Sequence, residues 1–148
     1  MLLEMSNKIG FDYANIAEAF PDVDPGVIPL GNRILCQIKL PKRVTAGGII
    51  LTQDASETDQ WNTQVAMVRA IGPLAFKDPK TLEEWPEGAW AGPGDFVRVP
   101  KFGGDKWTVK LPAKSAAEET QEVLFVIFSH LDLVGKISGD PLAMKAFV

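Results

Sequence analysis

Cysteine and histidine are almost missing. The 148 residues hold one of each, Cys36 and His130. A single cysteine excludes a disulfide within the chain, and one Cys with one His excludes a zinc site built mainly from those ligands. Cys36, inside RILCQIKL, reads as an inert core residue. His130, in FSHLDL, has no Ser or Cys nucleophile assignable to it and reads as a surface or strand-end histidine. No GxxxxGK[ST] loop occurs, and no GxGxxG follows a strand. The neighbouring carboxylates Glu83/Glu84 and Glu118/Glu119 read as solvated charge. No catalytic residue, cofactor or metal is therefore expected. Long apolar runs are absent too, none nearing the ~20 residues that span a bilayer. MLLEMSNKIG lacks the basic and apolar regions of a secretory signal, so a cytoplasmic setting is expected. Positive charge is in deficit, with a net charge of −4, which argues against nucleic acid or a membrane as partner.

What is present reads as one β domain with appendages. In residues 1–28, Ile9, Tyr13, Ile16, Ala17 and Phe20 fall at helical spacing, with Asp12 as N-cap and Pro21 as stop. PDVDPG then reads as a linker. From Pro29 the texture changes. RILCQIKL alternates, with Ile34, Cys36, Ile38 and Leu40 on one face and Arg33, Gln37 and Lys39 mostly on the other. Further strands are expected at 64–72, 94–102 and 106–111, the last entered by a tight Gly-Gly turn. EVLFVIFS, residues 122–129, is the most apolar and is expected to be central. Short strands punctuated by turns indicate a mainly β fold, a small β-barrel over residues 29–136 with a C-terminal tail at 137–148.

Three connections are long: 41–63, 73–93 and 111–122. Loops beyond ~12–15 residues in a compact domain are usually functional or disordered. The first holds TAGGIILT, where three aliphatics sit inside an otherwise polar loop. The second holds Trp85 and Trp90, with Asp78 and Pro79 placed to start a short helical turn. At least one of these tryptophans is expected to be buried. Lys39, Lys42 and Arg43 read as a solvated loop flank, because no aromatics interleave with them for base stacking.

These pieces, in this order, resemble the GroES-type co-chaperonins, the small lids of the bacterial chaperonin. PLGNRILCQIKL looks like the family's opening strand, AGGIILT like its mobile-loop motif, and VAMVRAIG like the strand after it. PGDFVRVPKFGG looks like its Gly-Asp-bearing strand, and EVLFVIFSHLDLVG like its closing strand. The resemblance runs from Pro29 to about Val134. It implies a GroES-like β-barrel with a short helical N-terminal extension, a mobile loop at about 41–63 and a roof region at about 73–93 carrying Trp85 and Trp90. It implies a homoheptamer that caps an ATP-driven, GroEL-type chaperonin ring and encloses unfolded client proteins. Chaperonin binding would fall to Gly47, Gly48, Ile49, Ile50 and Leu51. The family pairs the first strand of one subunit with the last of the next, which implies an interface of Arg33, Ile34 and Cys36 with Val123, Leu124, Phe125 and Val126. The N-terminal extension, the tail, the long 111–122 insertion and a 73–93 segment unlike the family's glycine-tipped hairpin depart from the pattern. They suggest a divergent member, encoded by a bacteriophage that uses its host's chaperonin. The rival readings are a zinc-dependent dehydrogenase-type barrel, opposed by the lack of Cys and His, and a stand-alone barrel that binds oligonucleotides or peptides.

Magnitudes suit the loop motif to a lid. Burying three aliphatics gains roughly 1.5–3 kcal/mol each, and ordering a loop costs about 1–2 kcal/mol per residue. One loop therefore binds weakly. Several on one ring bind together at high effective concentration, and they release together.

Overall fold

The computed structural model describes residues 15–40, 64–100, 102–111 and 121–144. Six strands form one antiparallel sheet: β1 (Arg33–Ile38), β2 (Val65–Ile71), β3 (Phe96–Arg98), β4 (Asp105–Leu111), β5 (Gln121–Ser129) and β6 (Gly135–Lys136). Their spatial order is β4-β5-β1-β2-β3-β6. The sheet wraps around Ile34, Cys36 and Ile38 of β1, which meet Ala66, Val68, Val97, Leu124, Val126 and Phe128 in one apolar cluster. This is the barrel-like, mainly β architecture expected. β5 is paired along both edges, with β4 and with β1.

Two glycines are required by close approach. A Cβ on Gly72 would lie 2.2 Å from the Gly31 carbonyl oxygen. Gly104, at φ +76°, ends the tight turn into β4, and a Cβ there would lie 2.7 Å from Val126 Cγ2. The Gly94-Asp95 turn is tied down differently. The Asp95 carboxylate accepts from Gly92 N–H at 2.9 Å and pairs with Lys136 Nζ at 3.4 Å, so the turn is held against β6. Chiefly through the Gly92 hydrogen bond, that carboxyl sits below the usual range.

Several expectations are corrected. The described part of the helical extension is one turn, α1 (Ile16–Ala19), and its N-cap is Asn15, whose Oδ1 accepts from Glu18 N–H at 3.0 Å. Asp12 lies outside the described residues. Ala17 is exposed, and the buried face is Ala19 and Phe20. The third strand is shorter than 94–102, because β3 pairs only over Phe96–Arg98 before the chain turns away. β6 was not anticipated, since two residues carry no period.

The largest correction concerns the outer side of β1. Gln37 and Lys39 are buried, not solvated. Leu40 leaves the face of Ile34 and joins Leu35, Val123 and Phe125 in a second cluster, beneath Val23 and Trp107. The cause is the N-terminal segment, which crosses this side of the sheet as a strap, together with the C-terminal turn at Pro141–Met144, which covers Lys39. Gln37 Nε2 donates to the Pro21 carbonyl at 2.8 Å, and Trp107 Nε1 to the Pro25 carbonyl at 2.9 Å. Arg69 donates to Gln37 Oε1 at 2.7 Å and to Asp22 Oδ1 at 3.2 Å. Arg69 has no directly opposed residue on β1, because the register shifts there, and such a bulge re-aims a side chain.

Candidate functional site: the loop base and the aromatic cap

Gly47, Gly48, Ile49, Ile50 and Leu51, the residues expected to bind a chaperonin, lie outside the described residues, as do Lys42 and Arg43. The two stems of their loop are described. Lys39 N–H donates to the Val65 carbonyl at 3.0 Å, so segment 41–63 leaves and re-enters the barrel at one place. On the return side, Gln64 Nε2 donates to the Val99 carbonyl at 3.0 Å.

Segment 73–93 is more ordered than its composition suggests. Asp78 Oδ1 accepts from Lys80 N–H at 2.8 Å and Thr81 N–H at 3.3 Å, but the turn does not continue into a helix. Instead Lys77 and Glu84 form an antiparallel bridge, and Trp85 N–H donates to the Phe76 carbonyl at 3.1 Å. The segment is thus hairpin-like, with an aspartate-set tip. The sequence conceals this because neither arm has β periodicity.

Trp85 and Trp90 are both half-buried and pack on the barrel's apolar cluster. Their ring centroids are 4.8 Å apart, and Phe76 lies 5.7 Å from Trp85. At least one of them was expected to be buried; instead the burial is divided, because the two share one site and shield each other.

His130 completes this group, and it is the residue the sequence reading undervalued. It is buried, not at the surface, with its ring 4.7 Å from that of Trp85. Its Nδ1 accepts from Phe76 N–H at 2.8 Å, which requires a neutral ring carrying its proton on Nε2. Burial lowers its pKa from the ordinary value. With Nδ1 engaged by a backbone N–H, His130 holds the 73–93 segment and is not placed to act as a base. Phe76 itself sits at φ 60°, a left-handed conformation that the His130 bond and the ring packing sustain.

The residues anticipated at a subunit interface have a different place. Arg33 to Gln37 pair with Ser129 to Phe125 within the chain. Ile34, Cys36, Val123, Leu124, Phe125 and Val126 are all buried, and only Arg33 is exposed. Within the chain, β1 lies between β5, which it meets over Phe125–Ser129, and β2, while Val123 and Leu124 pair with β4. Burial also raises the Cys36 thiol far above its usual range, so Cys36 is inert. The most outward-facing large apolar residues among the described ones are Ile28 (82% exposed), Phe102 (78%), Leu30 (71%), Leu131 (66%) and Val134 (64%). Val134 also borders an open cleft of about 350 Å³ with Trp90, Val97, Leu133 and Lys136.

Among the described residues no group of three or more His, Cys, Asp or Glu could hold a metal ion. No helix among them is long and apolar enough to cross a membrane. No curated protein matches the chain significantly. Residues 26–136, however, match the family described as the chaperonin 10 kDa subunit (Cpn10), a stretch that starts just after the strap and takes in all six strands, and the chain belongs to that family of co-chaperonins.

Proposed function

We propose that this chain is the lid of an ATP-driven, GroEL-type chaperonin ring, docking through Gly47–Leu51 and enclosing unfolded clients. One observation carries the reading. The Gly-Gly-Ile-Ile-Leu motif occupies a long insertion whose two stems are hydrogen-bonded side by side, in a chain of the Cpn10 family. A short apolar plug on such an insertion suits a partner that must be gripped and then released. Gly47 and Gly48 let the backbone turn on docking, and Ile49, Ile50 and Leu51 fill a groove.

The lid acts as a homo-oligomer, which we take to be a heptamer. β1 is paired on both sides, and β5 is paired with β4 and, over Phe125–Ser129, with β1, so assembly draws on what stays open. That surface includes the outer edges of β4 and β6 and the exposed Ile28, Leu30, Phe102, Leu131 and Val134. An uncovered apolar edge invites pairing, and a closed ring satisfies it. The protein binds no nucleotide and performs no chemistry of its own. It works in the bacterial cytoplasm, where a phage-encoded lid would meet its host's ring.

Gel filtration with a purified bacterial chaperonin, with and without ATP or ADP, tests this. Nucleotide-dependent co-elution is expected. Ile50→Asp is expected to abolish it while circular dichroism stays unchanged. Binding that survives Ile50→Asp would remove the plug assignment, and no co-elution of the native chain under any condition would remove the lid.

A further inference from the structure

Both terminal segments converge on the base of the 41–63 loop, and one buried cation joins them to it. Lys39 Nζ donates to the backbone carbonyls of Pro141 (3.2 Å), Leu142 (3.2 Å) and Met144 (2.7 Å). These three acceptors match the three N–H donors of an ammonium group. The same residue's backbone N–H bonds Val65, the first strand residue after the loop. Its neighbour Leu40, the last described residue before the loop, donates its N–H to the Ala19 carbonyl at 2.8 Å. Val65 is fully buried with Ala19 and Phe20, and Leu142 and Met144 pack against that cluster. Ile137 N–H donates to the Phe96 carbonyl at 2.8 Å, which starts the C-terminal segment on its path back to Lys39. The outgoing stem is thus held by α1 and by the C-terminal turn, and the returning stem is held by the same two segments.

We propose that the two terminal segments form one clamp on the loop base, that Lys39 is the positioning residue which locks it, and that the clamp sets how tightly the loop grips its ring. The coupling to binding rests on the lid reading above. The clamp itself does not. Its effect is entropic. With both stems fixed beforehand, docking need not order them. With the clamp released, the stem residues have to be ordered as well, and each costs on the order of five- to thirtyfold in affinity per loop. A hydrocarbon stem at position 39 would fill the same space yet leave the three carbonyls without their donor. Packing alone is therefore not what the ammonium contributes.

The test uses the full chain as wild type, Lys39→Met, Lys39→Arg and Leu142→Asp. The last variant releases the C-terminal segment from outside the sheet, in case Lys39→Met does not fold. Amide hydrogen exchange reads the clamp, and affinity for a GroEL-type ring in ADP reads its consequence. In Lys39→Met and Leu142→Asp the Leu40 amide is expected to exchange at least about tenfold faster, with Val126 and Phe128 unchanged, since only the stem is released. Ring affinity is expected to fall by about tenfold or more in the same variants. Lys39→Arg, which restores a multiple N–H donor, is expected to keep both properties near wild type. Unchanged Leu40 exchange in both disrupted variants would overturn the clamp. Faster exchange with unaltered ring affinity would overturn its role in binding. A wild-type chain that fails to bind any ring would overturn the lid reading and the coupling with it. The exchange measurements would distinguish that failure from a failure of the clamp.

Discussion

The two faces of β1 are held by different physics. Toward the barrel, Ile34, Cys36 and Ile38 meet other apolar side chains, and nothing on that face needs a particular partner. Away from it, Gln37 and Lys39 are buried just as fully, but each is held through named hydrogen bonds to a terminal segment. The inner face gains from burial, which is non-directional and tolerates any well-packed hydrocarbon. The outer face is specific. Its bonds fix where the strap and tail cross the sheet, and each is expensive to leave unmade. One strand thus carries both the stability of the barrel and the register of the added segments.

Substitutions can separate the two. Ile34→Ala cuts the inner face at full burial and is expected to cost the most, about 2–5 kcal/mol, read from urea unfolding. Its effect should be global, lowering the transition for all probes together. Gln37→Ala attacks the outer face. It leaves the Pro21 carbonyl and one Arg69 N–H without their partner, and it should cost about 1–3 kcal/mol. The double variant with Arg69→Ala should then cost less than the sum of the two, because both belong to one network. A strictly additive result would show that the strap is held by packing alone. Trp107→Phe removes the bond to the Pro25 carbonyl and part of the indole's packing but keeps a ring against Phe125, so about 0.5–1.5 kcal/mol is expected by the same assay.

The smallest change is expected with pH, and it sharpens the contrast by probing a polar group set among aromatic rings. His130 is neutral and buried in the folded chain, with its pKa below the ordinary 6.5. The unfolded chain therefore binds the extra proton first. The His130 contribution is complete above about pH 6.5, declines as pH falls below it, and levels off below the depressed folded value. Protonation also removes the acceptor for Phe76 N–H, so Trp85 and Trp90 should report the change by fluorescence. His130→Phe should remove this pH dependence. If the dependence persists, another group is its source.

How far each element was legible follows from the range of its interactions. β2, β4 and β5 were readable because their apolar periodicity and flanking turns are local signals. The Gly-Gly turn before β4 was readable too, since positive φ is a local demand. The loop motif stood out by contrast with its polar surroundings. Other features were not legible. Gln37 and Lys39 look like solvent-facing residues of an alternating strand, and only the return of distant segments buries them. His130 looks like a strand-end histidine until Phe76, more than fifty residues earlier, presents its N–H. The expected interface rests on the family's pairing of strands between subunits, and the sequence could not show that β5 also lies beside β1 in the same chain.

By itself, then, the sequence determined the β texture, the turns and the long insertion with its apolar motif, and the order of those pieces is that of the Cpn10 family. Each depends on propensity or patterning over a few neighbouring residues. The tertiary structure alone decided which side of β1 is covered, which cation locks the loop base and which apolar residues remain outside. Those outcomes depend on segments far apart in the chain meeting across a sheet. Burial and hydrogen bonding at such meetings are properties of the fold as a whole.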